Sequence, residues 1–157
     1  MPGYRAHVSF GIILYVITLI TVATFLVFSP PFFTAIEWFL CTIAGSLFPD
    51  IDTKSKGQLI FYKVISFLLL FLLWKQKMIA FIWLSLIAFV PLMVHHRGLF
   101  HKLWFVLLLP FIVALLLATY AGCYQTHVVI NGLFFSLGAV SHIVLDRGVS
   151  WFKRPKF

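Results

Sequence analysis

The chain reads as six apolar runs separated by short polar breaks. The first extends from about Val8 to Phe28 and stops at Ser29-Pro30-Pro31, where proline cannot continue a helix. The second covers Phe33 to Phe48 and ends in Phe48-Pro49-Asp50-Ile51-Asp52. After the polar stretch Thr53 to Gln58, a third run covers Leu59 to Trp74. Lys75-Gln76-Lys77 turns the chain into a fourth, Met78 to Val94, with a kink expected at Pro91. His95 to Lys102 interrupts the pattern before a fifth run, Leu103 to Ala121. Gly122 to Thr126 turns into a sixth, His127 to Asp146, and a short amphipathic tail follows from Arg147 to Phe157. A membrane-crossing helix needs about 20 apolar residues, so runs two to four are short and are expected to tilt little or to enter only partway.

Composition turns this pattern into an environment. Of 157 residues, 62% are hydrophobic and only 10% are charged, against about 25% charged in ordinary soluble domains. Such a chain cannot cover a globular surface with polar groups, and a soluble monomer is excluded. The expectation is an all-α polytopic membrane bundle, a single membrane-embedded domain over residues 1–157. The apolar run 8–28 is long for a signal peptide and lacks a small-residue cleavage site, so it reads as a retained first helix. The two cysteines, Cys41 and Cys123, have no metal-type spacing and read as free apolar thiols.

Threading the six runs back and forth across a bilayer sorts the polar residues by side. The side of the N-terminus receives His7, Asp50, Asp52, His95, His96, His101, His142 and Asp146, which is five of six histidines and three of four acids. Glu37 and His127 fall on the opposite side and are left out of the cluster. Ten Lys and Arg residues lie on the N-terminal side against Lys75 and Lys77 on the other, which places both termini in the cytoplasm. The same bias accounts for the net charge of +8 without nucleic acid, which is not expected as a partner. The tail Trp151 to Phe157 interleaves aromatic and basic residues, a pattern suited to anionic lipid.

The clustered residues are of metal-binding types. His142 and Asp146 are four apart and share one helix face. Alone, that pair fits a structural hydrogen bond as well as a metal site. His96 and His101 flank Arg97-Gly98, where Gly98 permits a bend that turns both rings inward, although loop histidines at an interface would read the same way. Of His95 and His96, the second is favoured as a ligand. Asp50 and Asp52 follow a helix C-terminus, against the macrodipole and close to hydrocarbon, and so call for a compensating cation or a nearby lysine. Together these residues offer nitrogen and oxygen donors for one or two divalent ions, and the lack of thiolates favours a catalytic over a structural zinc site. Arg97, with Lys54 and Lys102 as lesser candidates, suits an anionic group such as a phosphoester.

The segments Arg5-Ala6-His7, Phe48-Pro49-Asp50-Ile51-Asp52, His95-His96-Arg97-Gly98-Leu99-Phe100-His101, Ser141 to Asp146 and Arg147 to Phe152 make the chain resemble the YdjM family of bacterial inner-membrane proteins, regarded as metal-dependent hydrolases. Phe100 stands where that family usually has threonine, and the threonine that often follows its last aspartate is missing here. The resemblance implies a distant relation to zinc-dependent phospholipase C, with His7, Asp50, His96, His101, His142 and Asp146 at ligand positions. Asp52 would be a ligand or a general base. Zinc is the implied ion, one to three per chain, with manganese or magnesium as alternatives. A lipid or lipid-linked phosphoester is the expected substrate. The alternative is a non-enzymatic protein that binds or moves a metal ion or proton. An intramembrane protease ranks last, because His-Glu-x-x-His is absent from the chain.

Overall fold

A computed structural model describes residues 3–25, 27–52, 55–93, 101–120 and 125–152. These residues form six helices and no strand: α1 (Tyr4–Phe25), α2 (Phe32–Leu47), α3 (Lys56–Trp74), α4 (Met78–Met93), α5 (Leu103–Tyr120) and α6 (Gln125–Phe152). A 3-10 turn, Phe48–Asp52, extends α2. The protein is an all-α membrane helical bundle.

The helix ends follow from local chemistry. Pro31 immediately precedes α2 with an extended backbone, and its fixed φ suits a helix start. Ser55 caps α3, accepting from the Gln58 N–H at 3.1 Å while its hydroxyl donates to the Asp50 carbonyl at 2.9 Å. The α3–α4 turn is a Schellman closure. The Lys77 N–H donates to the Leu72 carbonyl and the Gln76 N–H to the Leu73 carbonyl, with Gln76 at φ 54° where glycine is the usual residue.

Several boundaries differ from the sequence expectation, beginning with α1, which spans Tyr4–Phe25 rather than Val8–Phe28. The 3-10 turn carries the second run on to a 20-residue apolar rod, Phe32–Ile51, and α3 starts at Lys56 rather than Leu59, because Ser55 supplies a cap there. Both are long enough to cross a bilayer, as are α1 and α6. The described part of α4, 16 residues, rises about 24 Å. Finally, α6 does not stop at Asp146 but runs to Phe152, since no proline intervenes before Pro155. The part of the expected tail that is described therefore continues the last helix. Residues 153–157 and Cys123 lie outside the described residues, and Cys41 is a half-buried free thiol.

At the centre, α6 packs against α1, α2 and α5, while α3 pairs with α4 and joins the rest mainly through the 3-10 turn. Two apolar clusters hold α6 in place. Tyr15, Trp38 and Phe134 tie α1, α2 and α6, with the Trp38 and Phe134 rings stacked at 4.6 Å. Val106, Ala139 and Ile143 tie α5 to α6. Most other large apolar side chains point outward, which is the arrangement a lipid solvent permits.

The α2–α6 crossing is closer than ordinary side chains allow. A Cβ at Gly45 would overlap the Phe135 carbonyl, and one at Gly138 would overlap the Thr42 carbonyl. Gly11 brings α1 to the same junction, beside Ser46 and Ser141. Hydrocarbon gives little hydrophobic drive between helices, so close backbone approach through small residues supplies the attraction. Thr42, Ser46 and Ser141 are fully buried, and each hydroxyl donates to a carbonyl of its own helix, at 2.8, 2.8 and 2.6 Å. They therefore act as small residues without leaving an unpaired donor in the membrane.

Candidate metal centre

Four segments meet at the end of the bundle formed by the start of α1 and the C-terminal part of α6. The first turn of α1 supplies His7, the 3-10 turn Asp50, the residue two before α5 His101, and α6 both His142 and Asp146. His7 and His142 are buried to 2% and 0% exposure, and their rings stack at 3.7 Å. Asp50, Asp146 and His101 are mostly buried, at 24%, 15% and 14% side-chain exposure.

The central ring is His142, whose orientation follows from the helix crossing. Carbonyls in the last turn of a helix lack intrahelical partners. In α2 one of these is Ser46, and the close approach at Gly45 and Gly138 brings it to 2.7 Å from His142 Nδ1. A carbonyl only accepts, so Nδ1 carries the proton and donates it. When the ring is neutral, Nε2 then turns an acceptor lone pair toward Asp50 Oδ1, 3.5 Å away, and Asp146 Oδ2, 3.7 Å away. His101 Nε2 faces the same two oxygens at 3.6 and 3.7 Å. His7 Nε2 faces the other Asp146 oxygen at 3.6 Å. Among the described residues, neither His142 Nε2 nor His101 Nε2 nor Asp146 Oδ1 makes a hydrogen bond.

Those separations discriminate between arrangements. Nitrogen–oxygen hydrogen bonds run at about 2.7–3.2 Å, shorter than any of the five. Two donors sharing one tetrahedral ion at bonds of roughly 2.0–2.2 Å stand about 3.3–3.6 Å apart. The four contacts of His101 and His142 with Asp50 and Asp146, at 3.5–3.7 Å, lie at or just beyond that spacing. Buried lone pairs facing two carboxylates without a proton or cation between them would repel. The residues thus fit a divalent ion. Two donor triads suit one, His7–Asp50–His142 and His101–His142–Asp146. Both triads include His142, and its Nδ1 is committed to Ser46, so the shared ring has one nitrogen to offer.

Of the residues expected at the site, His7, Asp50, His101, His142 and Asp146 are brought together. His95, His96 and Arg97 lie outside the described residues, as does Lys54. The Asp52 backbone ends the 3-10 turn, and its side chain is not among those described. Lys102 is exposed beside His101. Glu37 and His127 are exposed in the opening turns of α2 and α6, away from the cluster. Sequence reasoning missed the Ser46 carbonyl and the small-residue junction that presents it. The signal was available: Thr42, Gly45 and Ser46 on α2, and Gly138 and Ser141 on α6, are small residues at helical spacing inside apolar runs.

A helical bundle with four apolar helices long enough to cross a bilayer and a buried His/Asp group able to hold a metal defines a class of integral membrane protein. The chain belongs to the YdjM inner membrane protein family, which it matches over residues 1–153, and this places it in the inner membrane. Comparison with curated proteins and with solved structures gives no match.

Proposed function

We infer that the protein is a metal-dependent hydrolase of the membrane surface, acting on a phosphoester of a lipid or lipid-linked substrate. The observation that carries this reading is the group of five imidazole and carboxylate donors converging at 3.5–3.7 Å from four chain segments. An all nitrogen and oxygen donor set without thiolate suits zinc in a catalytic role, with one to three ions per chain and with manganese or magnesium as alternatives. A divalent ion held there supplies Lewis-acid polarisation of a phosphoryl oxygen and activation of water.

The chain's own residues do the rest. The Ser46 carbonyl fixes the His142 tautomer and so aims Nε2 into the site. Asp50 and Asp146 each face two or more imidazoles, so an ion held between them would join α1, the 3-10 turn, the start of α5 and α6. Arg97 is proposed to hold the substrate's anionic oxygens through its planar fork. Asp52 is proposed to hold or accept the proton of the attacking water. On the basic-residue bias, this end of the bundle faces the cytoplasm at headgroup level.

Metal analysis of the purified protein tests the reading, paired with release of phosphate from phospholipids and polyprenyl phosphates. The expectation is at least one ion per chain, lost in His142→Ala/Asp146→Ala together with activity. Fewer than one ion per chain, unchanged in that variant, overturns it. A transport role would need polar groups continuing through the bundle. The buried hydroxyls of Thr42, Ser46 and Ser141 are instead committed to their own helices, and two apolar clusters pack against α6, where Asn131 Oδ1 is a further buried polar atom.

A further inference from the structure

Beside the centre, α5 and α6 do not close along their whole length. A groove of about 350 Å³ lies between them. Trp104, Leu107, Leu108 and Phe111 form its α5 wall, and Gly132 and Ser136 lie opposite on α6. The lining is apolar throughout, because the Ser136 hydroxyl donates to the Gly132 carbonyl at 2.9 Å and is spent within its own helix. Along α5 it spans eight residues, Trp104 to Phe111, about 10 Å at 1.5 Å per step.

We propose that this groove seats one hydrocarbon chain of the lipid whose phosphorylated headgroup reaches the His/Asp centre; the proposal rests on the hydrolase reading above and names the part of the substrate that reading leaves open. Continuity argues for it. Trp104 stands one helical turn after His101, so the groove begins where the donor cluster ends and runs away from it. At that junction the Val106, Ala139 and Ile143 cluster seals α5 against α6, so a chain leaving the centre follows the outer groove rather than the helix interface. The site end of the groove carries tryptophan, the side chain that favours the headgroup boundary. A second copy of the chain is the rival occupant, since Gly132 and Ser136 have the small-xxx-small spacing of helix contacts. Large exposed side chains oppose it: Leu107, Leu108 and Phe111 on one side and Leu133 on the other flank those two small residues. A helix about 10–12 Å across with its side chains would meet these ridges first, whereas a single hydrocarbon chain slips between them.

The test uses the full chain in nanodiscs with a phosphonate analogue of phosphatidic acid bearing a diazirine on one acyl chain. Photolabelling is expected on Leu107, Leu108 and Phe111 at about fivefold or more over exposed Phe67 and Trp83, the ratio given by roughly 1 kcal/mol of preference. The same diazirine on diacylglycerol should lose that enrichment, because the headgroup no longer anchors the chain. Ser136→Leu fills the groove and should lower groove labelling to the level of Phe67. Should that variant fail to fold, Val129→Phe blocks the other end and should move labelling toward Trp104. Uniform labelling of all exposed apolar residues overturns the proposal. So does a Leu133→Cys disulfide-linked dimer that forms in the membrane and removes groove labelling. Hydrolysis of soluble para-nitrophenyl phosphate separates the two readings. Cleavage without groove enrichment removes the groove and leaves the hydrolase, while enrichment without cleavage of any phosphoester does the reverse.

Discussion

In the α1–α2–α6 core, the most deeply buried side chains include His7, Thr42, Ser46, Ser141 and His142, together with the glycines of the helix crossing. In the α3–α4 hairpin, Phe67, Leu70, Ile79, Trp83 and Phe89 face outward, and Ile65 and Ala88 are among the few apolar side chains turned in. Both regions read as apolar runs to a sequence window, yet one excludes lipid from small and polar groups and the other meets lipid with large ones. Apolarity in a membrane chain marks residence, whereas smallness marks contact. The hairpin is held by local chemistry: its Schellman turn, the Ser55 cap and the hydrogen bond from Tyr62 to the Ala88 carbonyl at 3.0 Å. The core is held by backbone approach, and that approach also builds the donor cluster.

The contrast can be broken most severely at the crossing. Gly138→Leu or Gly45→Leu drives a side chain into backbone and should cost about 3 kcal/mol or more, since the obstructing atoms cannot rotate away. Leu70→Met on the hairpin should stay within about 0.5 kcal/mol. Thermal unfolding in detergent compares them, and equal losses would dissolve the distinction.

Next in size is the metal. Saturating zinc at about 100 times its dissociation constant should add roughly 2.7 kcal/mol to wild-type stability. Chelation should remove that gain, and His142→Ala/Asp146→Ala should never show it. Substitutions on the hairpin should leave the zinc-dependent increment intact.

A finer test separates the Ser46 carbonyl from its hydroxyl. Ser46→Ala keeps the carbonyl and loses only a hydrogen bond within α2, so zinc affinity should hold. Ser46→Leu should push α2 from α6, disturb the Nδ1 contact and weaken zinc about 10- to 100-fold, the usual range for residues that orient a ligand. Isothermal titration of both variants reads the difference. An equal loss in the two would assign the role to the hydroxyl.

The smallest effect belongs to the hairpin turn. Gln76 sits in the left-handed region at φ 54°, which costs a non-glycine residue about 1–2 kcal/mol. Gln76→Gly should recover about 1 kcal/mol in unfolding experiments and change neither zinc binding nor activity.

The helices were legible because each is an apolar run bounded by proline or polar residues, and a membrane helix satisfies its backbone internally. Their ends were less so. The extension of α6 past Asp146 and the 3-10 turn after α2 depend on caps and on the absence of a stop, which hydropathy does not register. Much of the cluster was legible too, because four acids and six histidines in 157 residues leave few ways to distribute charge across a bilayer. Alternation of the helices is enough to send His7, Asp50, His101, His142 and Asp146 to one side.

The sequence by itself determined the environment, the number of helices and the side on which the polar residues gather, since all three follow from the cost of placing polar groups in hydrocarbon. Only the tertiary structure decided which donors face one another, at what separation, and which nitrogen of His142 is available. Those depend on how closely α2 and α6 approach. That distance is set by Gly45 and Gly138, 93 residues apart in the chain, whose effect exists only when two backbones touch.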